Sequence, residues 1–137
     1  MAFATFKVEV LTPEGEVFND DVELLSTFTS VGSIGVRAHH QPLLAMLDPT
    51  ELRLYKSESE VVRYAQGEGF LQMTGDHALV LVDEVFPVDE LNAGELRDQL
   101  KRAEEELSNA EDGSEEARVA ARDQRRYEAF LKIAEAG

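Results

Sequence analysis

Apolar and polar residues alternate with a period of two along the first part of the chain. Phe6, Val8 and Val10 are separated by polar residues, which is typical of a half-buried strand. Further short apolar segments follow at similar spacing, separated by glycine-containing turns: VELL, LRLY, VVRYA, FLQM and HALVLV. Short strands at this spacing are typical of antiparallel sandwiches and barrels. We therefore predict an all-β N-terminal sandwich for residues 1–88.

The period changes to that of a helix from Asp89 onward. Leu96, Leu100, Ala103 and Leu107 recur at intervals of four, three and four residues, which places them on one helix face. After the polar break NAEDGS, a second apolar stripe contains Ala117, Ala120, Ala121, Tyr127, Phe130, Leu131 and Ala134. Two helices of similar length joined by a short break predict an antiparallel α-helical hairpin for residues 89–137.

The first helix has a complete start signal. Asn92 is a preferred N-cap residue, and Glu95 stands three residues later, as in a capping box. Leu91 and Leu96 occupy the two positions of a hydrophobic staple. A two-helix hairpin by itself buries too little apolar surface to be stable in water. We therefore expect the hairpin to pack on the sandwich, on another protein, or on each in turn.

Composition narrows the classes of function. The 137 residues are 43% hydrophobic, which is enough to form a packed core. Their formal net charge of −15 argues against binding to nucleic acid or to anionic lipid. The chain has no cysteine, so disulfides and thiolate metal sites are excluded. Because we find neither a secretory signal nor an apolar run long enough to span a bilayer, we expect a soluble, acidic, cytosolic protein.

The second helix has a charge opposite to that of the rest of the chain. Residues 117–133 contain five basic and two acidic side chains. Arg118, Arg122 and Arg125 fall at steps of four and three and share one helix face, and Arg126 adjoins them. These arginines could pair across the hairpin with residues 104–106, which are all glutamate, or they could bind an acidic partner. The sequence alone leaves both interpretations open.

The stretch GSIGVRAHHQPLL contains two glycines three residues apart, followed by two adjacent histidines. The glycines predict a tight turn in which positive φ costs little. His39 and His40 are neighbours on an extended chain, so they point to opposite faces and could share one ion only through a kink. A zinc site would also need three or four ligands. We therefore predict no metal site and no catalytic residue here.

Three motifs in order resemble the ε subunit family of the rotary F-type ATP synthase, in its bacterial form: VLTPEGEVF, GSIGVRAHHQPLLAML and GEGFLQMTGDHALVLVDEV. The resemblance extends over essentially the whole chain. It implies a rotor-contact loop formed by Gly32, Ser33, Gly35, His40 and Pro42. The tip of this loop would rest on the c-ring of the membrane sector, and the flank that carries His40 would face the γ subunit.

The resemblance also implies a function. The chain would be a non-catalytic central-stalk subunit on the cytoplasmic face of the bacterial cell membrane, coupling proton-driven rotation to ATP synthesis. Its hairpin would extend toward the catalytic α and β subunits. There the inhibitory basic face of Arg118, Arg122, Arg125 and Arg126 would restrain ATP hydrolysis.

Some members of that family bind ATP through an Asp and an Arg at the start of the first helix. Asn92 and Glu95 stand at these positions here, and a glutamate would repel phosphate, so we expect no ATP cofactor. Two other classes of function remain open. One is a free-standing β-sandwich module that self-associates through its hairpin. The other is an enzyme that uses His39, His40 or His77, although no spacing indicates a nucleophile and base.

Overall fold

A computed structural model describes residues 3–136 of the chain. The backbone divides into two compact units, the first ending at Pro87 and the second beginning at Val88. The first unit consists of strands and the second of helices. The predicted fold class, a strand-rich part followed by a two-helix hairpin, is confirmed.

Ten strands form the first unit within the described residues. They are β1 (Phe6–Thr12), β2 (Gly15–Val22), β3 (Leu24–Thr29), β4 (Gly32–Val36), β5 (Leu43–Leu47), β6 (Thr50–Tyr55), β7 (Val61–Gln66), β8 (Gly69–Thr74), β9 (His77–Val82) and β10 (Val85–Pro87). They form one continuous hydrogen-bonded network of ten strands, which divides into two groups of five, each of which we call a sheet. The first sheet has the order β2-β1-β9-β8-β5, the second has the order β10-β7-β6-β3-β4, and the residue pair Thr29–Leu47 joins them.

One strand pairing departs from the predicted antiparallel pattern. Strands β1 and β9 are parallel, with Val8 opposite Ala78 and Val10 opposite Val80. These strands are far apart in the sequence, so the chain between them is long enough to return in the same direction. Local alternation of apolar residues reports which face of a strand is buried and does not report the direction of its neighbour.

The core lies between the inward faces of the two sheets. Phe6, Val8 and Val10, the residues that predicted the first strand, are at most 2% exposed, and Leu52 and Leu71 are fully buried. The remaining members of this core are also apolar and come from both sheets: Phe18, Val22, Leu25, Val36, Leu47, Leu54, Met73, Ala78, Val80 and Val82. A core of this size gives the unit a packed interior of its own.

A buried amide reinforces the second sheet and was not predicted. Gln66 is fully buried, and its Oε1 accepts a hydrogen bond from the hydroxyl of Thr27 at 3.0 Å. Its Nε2 donates to the carbonyl oxygens of Asp48 at 3.2 Å and Gly67 at 3.0 Å. Because all three partners are present, the amide does not incur the cost of an unsatisfied buried polar group.

The second unit begins with a 3₁₀ turn, Val88–Glu90, followed by α1 (Ala93–Asn109) and α2 (Glu115–Ala136). Arg97 Nη2 in α1 lies 3.7 Å from Glu135 Oε2 in α2, so the start of α1 is beside the end of α2 and the helices are antiparallel. Ser114 caps α2, its hydroxyl accepting a hydrogen bond from the Ala117 N–H at 3.1 Å.

The helices bury fewer residues than the two apolar stripes predict. Leu96 and Ala103 are buried in α1, whereas Leu100 and Leu107 are only half-buried. In α2 the buried apolar residues are Ala120, Phe130 and Ile133, the last of which the predicted stripe omits. No helix among residues 3–136 has the length and apolar character needed to cross a bilayer.

Candidate interaction surfaces

The turn between β3 and β4 is the first part of the predicted rotor-contact loop. Gly32 has a φ of 137°, which favours glycine, and its carbonyl oxygen accepts a hydrogen bond from the Thr29 hydroxyl at 2.9 Å. The Val31 N–H donates to the same hydroxyl at 3.2 Å. Val31 is 95% exposed and Phe28 is 51% exposed, so the tip presents apolar side chains held on a defined turn.

Gly35 does not share the conformation of Gly32. It lies within β4, opposite Ser26, and has no positive φ. The predicted need for positive φ therefore applies to Gly32 alone. Ser33 lies beside Gly32 in the same strand, opposite Phe28, and is exposed.

The two adjacent histidines lie in the loop that connects β4 to β5. His39 has a φ of 64°, and its backbone N–H and Nδ1 both approach Asp76 Oδ1, at 3.3 and 3.2 Å. The Nδ1 of His40 lies 2.8 Å from the carbonyl oxygen of Gln41. The two rings thus have different partners. Among residues 3–136, no group of three or more histidine, aspartate or glutamate side chains could hold a metal ion.

Four of the five rotor-contact residues lie in two separate places, and the fifth, Gly35, lies within β4 between them. Gly32 and Ser33 lie at the turn end of β4, whereas His40 and Pro42 follow its other end. Because β4 is five residues long and a strand rises about 3.3 Å per residue, these places are more than about 10 Å apart. The predicted loop is therefore two separate surface features, which could contact two different partners.

An exposed apolar patch covers the outward side of the first sheet and was not predicted from the sequence. Met46 lies opposite Phe70, and Phe70 lies opposite Leu81, on three neighbouring strands. Leu44 precedes Met46 by two residues and faces the same way. The exposed fractions of Leu44, Met46, Phe70 and Leu81 are 71%, 61%, 46% and 43%. We call these four residues the outer apolar face.

A signal for this face was present in the sequence. The segment LLAML, which forms β5, is apolar at every position, and HALVLV in β9 is nearly so. An antiparallel sheet with one solvated side normally alternates apolar and polar residues. Strands that are apolar on both sides therefore indicate that the second side is also buried when the protein binds a partner. Contiguous exposed apolar patches commonly mark such interaction sites.

The arginines of the predicted inhibitory face have different environments. Arg118 is exposed and donates two hydrogen bonds to Glu115, the Nε bond to Oε2 being 3.0 Å long. Arg122 pairs with Asp123 at 3.3 Å and is half-buried. Arg125 is exposed, whereas Arg126 is only 6% exposed. Arg126 therefore does not share the exposed surface of Arg118 in this conformation.

The ion pairs of Arg118 and Arg122 are local to α2. The hydrogen bond from Arg118, with its nearby charge, holds the pKa of the Glu115 carboxyl below its ordinary value. Glu115 and Asp123 both belong to α2, so the pairs of Arg118 and Arg122 do not run across the hairpin to residues 104–106, as one interpretation of the sequence expected. Exposed ion pairs within one helix contribute little to the free energy of folding, so they can be replaced by other pairs at little cost.

Comparison with known proteins identifies the family. The family model "ATP synthase, Delta/Epsilon chain, beta-sandwich domain" matches residues 5–88. The ATP synthase epsilon chain of Sulfurihydrogenibium sp. is 34% identical over 131 residues, which cover 96% of this chain and 98% of that protein. This chain belongs to the ATP synthase epsilon chain family. The epsilon chain of Persephonella marina is 35% identical, over 94% of this chain and 96% of its own length.

A solved structure supports the same fold. A chain in the cryo-EM structure of the Euglena gracilis mitochondrial ATP synthase, which comprises OSCP, F1 and the c-ring, matches 97% of this chain and 81% of its own length. The TM-score is 0.77 at 18% sequence identity. The family model ends where the helices begin, so the assignment of the hairpin to the epsilon chain family depends on the bacterial relatives.

The start of α1 is built as a cap in this member of the epsilon chain family. Asn92 is the N-cap, and its Oδ1 accepts a hydrogen bond from the Glu95 N–H at 3.0 Å. Leu96 is buried in the first turn, and Leu91, before the cap, is half-buried. The side chain of Asn92 is thus engaged with the helix, and Glu95 adds a carboxylate to the first turn.

Proposed function

We propose that this epsilon chain is a non-catalytic subunit of the central stalk, docked through its sandwich on the γ subunit and on the c-ring. In this role it helps to transmit proton-driven rotation to the catalytic subunits during ATP synthesis. A packed β unit suits this task because it transmits force without deforming. Membership of the epsilon chain family supports the proposal, as does the likeness to a chain solved together with F1 and the c-ring.

The outer apolar face is the observation that carries this proposal. Four large apolar side chains on three adjacent strands remain between 43% and 71% exposed. Fully burying such a side chain contributes about 1.5–3 kcal/mol, so covering this face would supply much of the energy of a specific interface. Because β5 directly follows the loop that carries His40, we assign this face and His40 to the γ subunit.

The turn between β3 and β4 suits a second contact. Val31 and Phe28 project from a tip whose backbone is held by the Thr29 hydroxyl, and Ser33 adds a polar group. We assign this tip, with Gly32 and Ser33, to the polar loops of the c-ring. The length of β4 separates it from His40, so the sandwich can contact the two partners at the same time.

We propose that the hairpin restrains ATP hydrolysis by extending toward the α and β subunits. Arg118, Arg122 and Arg125 would then meet an acidic segment of a catalytic subunit, exchanging their local pairs for charge-assisted contacts. Arg126, which is buried here, would join them only if its surroundings changed. The proposal does not include ATP as a ligand, because Asn92 and Glu95 form the cap of α1.

We place the complex that contains this chain on the cytoplasmic side of the bacterial cell membrane, with the chain held there by its partners. The net charge of −15 opposes direct binding to anionic lipid, and the exposed apolar residues of the sandwich are assigned to protein contacts.

Replacing Met46 and Leu81 by aspartate tests the docking surface. Both side chains are exposed, so we expect the variant to fold normally but to bind purified γ at least about 100-fold more weakly, measured by calorimetry. The double variant Phe28→Asp, Val31→Asp is the matched control, because it places the same two charges at exposed apolar positions outside this face. If the double variant binds γ as tightly as the unmodified chain, the outer apolar face is not the γ contact.

Replacing Arg118, Arg122 and Arg125 of α2 by alanine tests the regulatory role. We expect the reconstituted ATP synthase to hydrolyse ATP several-fold faster, since the charges that meet the catalytic subunits are removed. The control replaces the exposed residues Lys101 and Arg102 of α1 by alanine instead, which lowers the positive charge of the hairpin while leaving the ion pairs of α2 in place. Equal hydrolysis rates with the arginine variant and the unmodified chain would contradict an electrostatic restraint.

A further inference from the structure

His39 has a backbone conformation that residues with a Cβ atom disfavour. Its φ is 64°, and it is the one residue other than glycine with a positive φ among residues 3–136. In the left-handed region the Cβ atom crowds the following carbonyl oxygen, so such a residue persists only where neighbouring groups hold it. A contact outside the local backbone is therefore needed to stabilise His39.

The carboxylate of Asp76 provides that contact. Its Oδ1 accepts a hydrogen bond from the His39 N–H at 3.3 Å and also lies 3.2 Å from the His39 Nδ1. Asp76 itself is well anchored: it follows Gly75 in the turn between β8 and β9, and its carbonyl oxygen accepts a hydrogen bond from the Lys7 N–H at 2.9 Å. Asp76 thus connects the loop to the turn before β9 and to β1.

We propose that Asp76 is a positioning residue that holds the loop of residues 37–42, the histidine loop, and thereby sets the direction of His40. Ala38 packs on the core and is therefore fixed in place. The direction of the rest of the loop then depends on the backbone conformation of the next residue, His39. The link from Asp76 to the γ subunit rests on the proposed function, in which His40 faces γ. The contact between Asp76 and the histidine loop does not depend on that proposed function.

A second histidine–carboxylate pair, on strands beside the same turn, provides a control. His77 Nε2 lies 2.7 Å from Glu9 Oε1, and both residues are on strands, with Glu9 in β1 and His77 in β9. This pair adjoins Asp76 in the sequence and has the same chemistry, but it has no recorded bond to the histidine loop. Breaking it removes a histidine–carboxylate contact beside this turn while leaving the contact between Asp76 and His39 in place.

Amide hydrogen exchange in the full-length chain tests whether Asp76 holds the loop. We expect Asp76→Ala to raise the exchange rates measured at the His39 amide by about tenfold, the effect of losing one net hydrogen bond. Asp76→Asn keeps an acceptor oxygen and should leave these rates within about threefold of the unmodified chain, as should His77→Ala. Unchanged exchange in Asp76→Ala, or equal acceleration in His77→Ala, would overturn the inference.

Binding to purified γ tests whether Asp76 acts through His40. We expect His40→Ala and Asp76→Ala to weaken binding to a similar degree and the double variant to be no weaker than either, because both remove the same contact. Fully additive losses would overturn the link to His40. If neither variant weakens γ binding while the loop exchanges faster in Asp76→Ala, the proposed contact of His40 with γ fails and the role of Asp76 in the loop stands.

Discussion

The sandwich and the hairpin differ in how they hold their side chains in place. The sandwich closes a core between two sheets, with Leu52, Leu71 and Gln66 fully buried and the amide of Gln66 satisfied on all sides. In the hairpin, by contrast, Leu100 and Leu107 of the predicted apolar stripe are only half-buried, and a basic residue, Arg126, is buried. The sandwich thus has a closed core, whereas the hairpin keeps part of its apolar stripe accessible for contacts with another protein.

This difference matches the division of labour that we propose. A docking unit must keep its shape when it transmits torque, and its contact surface must be fully formed before it meets the partner. A regulatory unit must instead have two arrangements of similar free energy, so that modest changes in its partners select one of them. Few buried residues and weak local ion pairs are typical of such a unit.

The largest expected effect separates the two units by their packing. Leu71→Ala removes a fully buried side chain from the sandwich core and should lower the free energy of unfolding by about 2–5 kcal/mol. The same change at half-buried Leu107 should cost less than about 1 kcal/mol. Urea unfolding followed by circular dichroism measures both. Similar losses for the two variants would show that the hairpin is packed as tightly as the sandwich.

The fold class, strands followed by a two-helix hairpin, could be predicted because it depends on local sequence pattern. The alternation around Val8 reports a buried strand face, and the cap formed by Asn92 needs only residues within one helical turn. The parallel pairing of β1 with β9 could not be predicted, because nothing in either strand encodes the direction of a distant neighbour.

The site was only partly predictable for the same reason. The turn at Gly32 follows from its sequence, but the contact between His39 and Asp76 joins residues 37 positions apart. The outer apolar face likewise exists only after β5, β8 and β9 have become neighbours, although the apolar run in β5 gave a hint of it. Charge counts marked α2 as basic but could not show that Arg126 is buried.

A smaller effect is expected at the cap of α1. Asn92→Ala removes the oxygen that accepts a hydrogen bond from the Glu95 N–H, which should cost about 1 kcal/mol and fray the first turn of the helix. Asn109→Ala, at the other end of α1, is the control and should change the helical signal little. Thermal unfolding of the helical signal reports the difference. If the two variants unfold alike, the cap does not stabilise the hairpin.

The most direct test of the account is the affinity for γ of a chain that ends at residue 88. The sandwich has its own core and, in our proposal, carries the whole γ contact, so calorimetry should give a dissociation constant within about threefold of that of the full-length chain. A folded sandwich that binds γ more than about 100-fold more weakly would contradict the account, because the hairpin would then be part of the docking surface.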